Sequence, residues 1–105
     1  MTYELELNLT KRKRGTMLKL IRQNHEEQSE RMDDFALAKV MASIWHMSQR
    51  QVLTMLQDLQ IFGLVNFKQR FCNIRERTVA EEIMLTAAGV GIVHRRQDTD
   101  EVLFD

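Results

Sequence analysis

Few side chains in this sequence have the types and spacing for chemistry. His25, His46 and His94 share no ligand spacing with one another or with Cys72, so no metal-binding motif is present. There is no Ser-His-Asp order, no glycine-rich phosphate loop and no paired-carboxylate motif. "AAGVG" at 87–91 follows a capping threonine and reads as close helix packing. Neither an enzyme nor a cofactor is expected. Cys72 stands near a turn beside arginines. It reads either as a redox-sensing thiol, since such neighbours favour the thiolate, or as an incidental thiol at a strand end. What remains is a helix face. In "MSQRQVLTMLQDLQIFGLV", residues 47–65, helical spacing puts Val52, Met55, Leu56 and Leu59 on one side. Arg50, Thr54 and Gln57 lie on the other, with Leu53 between. The stretch carries one arginine and one aspartate, which poses the question of what that face touches.

The elements that position this face can be read from pattern and punctuation. The chain has 105 residues, enough for one domain with a modest core. Lys plus Arg equals Asp plus Glu at 15 each, which argues against a polycation and still permits a local basic surface. One cysteine excludes an internal disulfide and fits a reducing compartment. "MTYELELNLT" has no apolar signal-peptide region, and no apolar run approaches the roughly 20 residues of a membrane span. A soluble, cytoplasmic domain is expected.

Tyr3, Leu5, Leu7 and Leu9 alternate with polar residues, which predicts a short strand or extended arm. Lys11 to Arg14 read as a basic linker or frayed first turn, because four cations oppose the dipole at a helix N-terminus. Met17, Leu18, Leu20 and Ile21 then predict a helix capped by Thr16, fading into "QNHEEQSER" as helix or loop. Asp33 or Asp34 caps the next helix. Its Leu37, Ala38, Met41, Ile44 and Trp45, widened by Phe35 and Val40, predict extensive burial. His46 and Met47 break the chain, Ser48 caps the third helix, and Gly63 suits its left-handed end. Val65, Phe67 and Phe71 predict one face of a strand, with Asn66, Lys68 and Arg70 on the other. Val79, Ile83 and Leu85 predict the return strand of a hairpin. Thr86 caps a last helix, with Arg95 and Arg96 toward its C-terminal end. An acidic tail with one apolar knot, Val102 to Phe104, follows. The fold class is mainly α with a β-hairpin. An arm and linker at 1–15 precede a domain at 16–96 and a tail at 97–105.

"MASIWHMSQRQVLTMLQDLQIFGLVNF" resembles the winged helix-turn-helix of small bacterial and archaeal transcription regulators, of the multiple-antibiotic-resistance or PadR type. Trp45 takes the usual leucine position, His46 the turn glycine and Met47 the short apolar residue. "GLV" at 63–65 starts the wing, and "LTAAG" at 85–89 resembles its close. The resemblance covers about residues 16–96, with the helix-turn-helix at 34–61 and the wing at 64–85. It implies that the second helix of the pair enters the major groove of duplex DNA. Gln49, Arg50, Leu53, Thr54 and Gln57 would then face DNA. Arg50 would read guanine and Gln49 adenine, and Thr54 would touch a phosphate or thymine methyl. Ser48 and the helix N-terminus would hold a phosphate. Lys68, Arg70, Arg75 and Arg77 would supply wing cations, joined by the arm through Lys11 to Arg14. A homodimer is expected through the arm, the last helix or the tail, and no membrane partner. The alternatives are a winged-helix protein-interaction module, in which Leu53 takes part, and a phage or plasmid accessory with the same DNA mechanism.

Overall fold

A computed structural model describes residues 2–28, 32–95 and 99–104, without the side chains of 2–4 and 25–28. The expectations for Tyr3 and His25 as side chains, and for Arg96, lie outside it. In order the elements are α1 (Thr2–Gln28), α2 (Asp34–Trp45), α3 (Gln49–Ile61), β1 (Val65–Cys72), β2 (Arg77–Leu85) and α4 (Ala87–Val93). The protein is therefore mainly helical with one antiparallel hairpin, β1 against β2.

The N-terminal strand and the linker are not formed. Residues 2–28 make one helix of 27 residues, running unbroken across position 15. The alternation of Leu5, Leu7 and Leu9 yields to helix propensity, and the segment runs without a break into the part of α1 that packs on the core. Leu, Glu, Lys and Arg are all good helix formers. Because the helix begins at Thr2, Lys11 to Arg14 sit in its interior, away from the end where the dipole would oppose them. Thr16 is consequently no cap. Its hydroxyl donates to the Arg12 carbonyl at 3.1 Å and accepts from the Trp45 indole at 3.0 Å.

The core forms where the second half of α1 meets the other elements. Met17, Leu18 and Ile21 pack with Leu37 and Met41 of α2, Val52, Leu56 and Leu59 of α3, and Val65, Ala80 and Ile83 of the hairpin. Asp33 caps α2 by accepting from the Ala36 amide at 2.8 Å. That helix is less buried than its composition predicts, since Val40 and Ile44 remain exposed. Its apolar residues exceed what one side can turn inward, and α1 and α3 cover only the side of Leu37, Ala38 and Met41. His46 ends α2 in the left-handed conformation (φ 56°), the role given to glycine in the resembling turn.

The hairpin carries an irregularity that shifts its pattern. Asn66 pairs with Met84 and Lys68 with Glu81, so Glu82 and Ile83 together oppose Phe67. This bulge, with Glu82 at φ 53°, changes which β2 residues face inward. Ala80 and Ile83 join the core; Val79 is buried outside it. Ile83 also donates its amide to the Met32 carbonyl at 3.0 Å, a one-pair extension of the sheet. Phe71, expected beside Val65 and Phe67, is 60% exposed, because the strand outruns the core toward the turn.

The tail folds back on its own chain. Val102 is buried, Phe104 packs on the core, and the Leu103 amide donates to the Lys11 carbonyl at 3.1 Å. Gly15 lies beneath this crossing, where any Cβ would collide with the Leu103 carbonyl. Among the described residues no helix is long and apolar enough to cross a membrane.

Candidate nucleic-acid interface

The helix α3 is held at both ends by its own sequence. The Ser48 hydroxyl accepts from the Gln51 amide at 3.2 Å, and the Ser48 amide donates to the Gln51 side chain at 2.9 Å, a reciprocal capping box. At the other end Gly63 (φ 77°) donates to Gln60 and Leu64 to Leu59, at 3.0 and 2.9 Å. That pair of bonds is the Schellman arrangement, and the buried Leu59 and Leu64 form the apolar pair that accompanies it. With Val52, Met55, Leu56 and Leu59 turned inward, orientation of the opposite face is settled.

That face presents Arg50 and Thr54 to solvent, with Gln49 and Gln57 half-buried beside them. The Thr54 hydroxyl donates to the Arg50 carbonyl at 3.0 Å, which leaves its methyl and oxygen lone pairs outward. Leu53 is half-buried against the core, so less of it is available to a partner than its place on the helix implies. Gln57 donates to Gln69 at 3.3 Å and Gln60 to the Phe67 carbonyl at 3.5 Å, tying α3 to β1.

The hairpin cations are differently placed. Lys68, Arg70 and Cys72 alternate along β1 with Phe67, Gln69 and Phe71, and it is Gln69 that meets α3. Lys68 and Arg70 are therefore on the strand face turned away from Gln57. Each expected DNA contact of the wing already has a partner within the chain. Lys68 pairs with Glu82 at 2.9 Å and Arg70 with Glu81 at 2.6 Å. The hydrogen bond and charge of Glu81 raise the Arg70 pKa further above its ordinary value. Arg75 lies 4.0 Å from the centre of the Phe35 ring, whose environment also includes Lys39 at 4.8 Å. Arg77 forks onto Asp34 at 2.9 and 3.3 Å.

Asp34 was indistinguishable in sequence from its neighbour, since either could cap. With Asp33 in that role, Asp34 turns inward and is 2% exposed. Its carboxylate takes both Arg77 nitrogens and the Ala80 amide at 3.2 Å, fastening the start of α2 to the base of β2. The hydrogen bond to Asp34 raises the Arg77 pKa. Beside this fastening, a cavity of about 90 Å³ is lined by Asp34, Arg70, Cys72, Arg75, Val79 and Glu81, with Asp33 at its edge. The Cys72 thiol there is pushed below its ordinary pKa, chiefly by the Arg75 backbone amide, then by that of Ile74 and the charges of Arg70 and Arg75. Among the described residues no three His, Cys, Asp or Glu side chains converge as metal ligands.

Arg14 of the basic run in α1 meets the C-terminal end of α3, at Phe62, and the tail. Arg14 donates to the Glu101 carbonyl at 3.0 Å and its carboxylate at 3.4 Å, and lies 4.9 Å from the Phe62 ring centre. It serves the tail as an anchor. The structure thus brings Ser48, Gln49, Arg50 and Thr54 together on one surface and puts the wing cations on another. No family model matches the chain, and no curated protein matches it.

Proposed function

We propose that the protein is a winged helix-turn-helix DNA-binding protein, a homodimeric cytoplasmic transcription regulator that meets duplex DNA with the outer face of α3. The observation that carries this reading is the capped, core-anchored α3 with Ser48, Gln49, Arg50 and Thr54 on its free face. A helix fixed in this way offers its N-terminal side chains to base edges with little loss of side-chain and backbone freedom. The Ser48 hydroxyl proton is still available to a phosphate oxygen, since the hydroxyl accepts from Gln51. Lys68 and Arg70, paired with Glu82 and Glu81 on another surface, add no contact to this face.

The engaged cations set the expected strength. With Lys68 and Arg70 on another surface, Arg50 and the Ser48 end of α3 supply about one or two phosphate contacts, so log affinity should fall with log salt at about −0.9 per contact, a total near −1 to −2. Fluorescence anisotropy of a mixed-sequence duplex over a salt series measures this directly. Arg50→Ala should weaken binding by roughly tenfold or more, within the 1–3 kcal/mol of a base-reading arginine. No binding at low salt with protein near 10⁻⁴ M, the weak end of non-specific affinities, would remove DNA from this reading.

A specific observation favours a second reading, a protein-interaction module. The hairpin exposes two large apolar side chains: Ile74 in its turn is 94% exposed and Phe71 on β1 is 60% exposed. On that reading association is salt-tolerant and depends on Ile74 and Phe71 more than on Arg50.

A further inference from the structure

The first half of α1 projects beyond the core. The helix is about 40 Å long at 1.5 Å per residue, close to the 41 Å long axis of the whole molecule. Its contribution to the core begins only at Met17. Ahead of that, Leu5 and Leu9 stand four residues apart on one line, 65% and 38% exposed. At about 100° per residue this line lies roughly opposite Leu18 and Ile21, so the core cannot cover it. It continues through Arg12 to Thr16, where the Trp45 indole is bonded. Two charged residues flank the line on the same side: Glu6 and Lys13, seven positions and thus two turns apart. Neither side chain forms an ion pair among the described residues.

We propose that this surface pairs with a second copy of itself, the two α1 helices antiparallel and crossing near Leu9. Like flanks face each other in an antiparallel helix pair. Glu6 of each copy then meets Lys13 of the other, one attractive pair at each end of the seam. A parallel pair would bring Lys13 opposite the Asn8 flank and leave both charges without a partner. The acidic-then-basic order of "ELELNLTKRK" is thus complementary to itself only when reversed. The same register carries the partner's first turn alongside positions 15–16, next to the half-exposed Trp45. Two leucines per copy make a small seam, below the roughly 800 Å² per partner of a stable interface. The dimer is accordingly expected to be weak, in the micromolar range, with the charges setting orientation.

This pairing deepens the dimeric part of the proposed function, and its test uses the protein without DNA. Loss of DNA binding leaves it standing, and its own failure leaves DNA binding by a monomer intact. The first measurement is sedimentation equilibrium from about 1 to 200 µM, with circular dichroism to confirm folding of each variant. The wild type should dimerise, and Leu9→Glu should be a folded monomer throughout. Glu6→Lys should raise the dissociation constant roughly tenfold through like-charge repulsion at both ends. Adding Lys13→Glu to it should restore the original value. In a Cys72→Ser background, Leu9→Cys should cross-link to itself and Leu5→Cys should not. A wild-type monomer at 200 µM, a dimer unmoved by Leu9→Glu, or efficient self-cross-linking of Leu5→Cys would overturn the proposal.

Discussion

The helix α3 and the hairpin were expected to act as one surface, and the chain builds them on opposite principles. In α3 the groups that hold the element are at its ends and on its inner side. Ser48 and Gln51 close one end, Gly63 closes the other, and on the outer face the Arg50 side chain forms no ion pair among the described residues. In the hairpin the outer cations are engaged within the chain. Lys68, Arg70, Arg75 and Arg77 each engage a side chain of this chain, and Arg77 fastens β2 to α2. Arg50 is therefore available to a partner without loss to the fold, whereas in the hairpin the cations offered to a partner are already engaged within the chain. A residue type alone does not say which of the two holds: the sequence contains arginines at 50 and 77, and only the first is uncommitted.

Substitutions can break this contrast in graded steps. Arg77→Ala should be the most damaging, because it leaves the buried Asp34 carboxylate without its cation. Loss of one partner of a buried pair costs about 3–5 kcal/mol, and a urea melt should show a correspondingly earlier midpoint. A wild-type melt would reduce Arg77 to an ordinary surface residue. Ser48→Ala removes the acceptor of the Gln51 amide and should cost about 1 kcal/mol, as for other N-caps. Arg70→Ala should leave the melting temperature unchanged within error, because its pair with Glu81 is solvent-screened. Arg50→Ala should be equally silent in stability; any change would show that the outer face of α3 is structural after all.

Cys72 gives the smallest effect and probes the hairpin alone. Its folded pKa is depressed, so the folded chain favours the thiolate. The associated stabilisation is present above the unfolded thiol pKa and fades as pH falls through the folded one. Alkylation rate against pH should accordingly have its midpoint lower in the native protein than in urea. Equal midpoints would show that the Arg75 and Ile74 amides do not reach the sulfur.

Much of the architecture was legible because it is written in local signals. Ser48, Gly63 and Thr86 are capping residues at the ends of periodic stretches, and each does in the structure what its type suggests. "AAGVG" packs closely as expected, with Gly89 against the Leu64 carbonyl. The misreadings share a different cause. Leu5, Leu7 and Leu9 satisfy a strand pattern, but the good helix formers around them join one helix that continues to Gln28. The bulge at Glu82 carries no glycine to announce it, and it puts Ala80 in the core cluster in place of the neighbouring Val79. Asp34 is chosen over Asp33 by an arginine 43 positions later. For the interface, the residue types were visible in the sequence and their prior commitments were not, since these depend on Glu81 and Glu82 across the hairpin and on Asp34 and Phe35 of α2.

The crossing of the tail over Gly15 has a consequence in time. Arg14 and Glu101 are 87 positions apart in the chain, and closing so long a loop is entropically costly and slow compared with pairing of near neighbours. During synthesis α1 leaves the ribosome well before the residues that strap it down exist. The early chain must keep Met17, Leu18 and Ile21 against α2 and α3 without Val102 or Phe104. The strap is thus the last part to settle. With the Leu103 amide as its backbone tie to α1, it is also the natural first part to lift, a brief opening that amide hydrogen exchange at Leu103 would time.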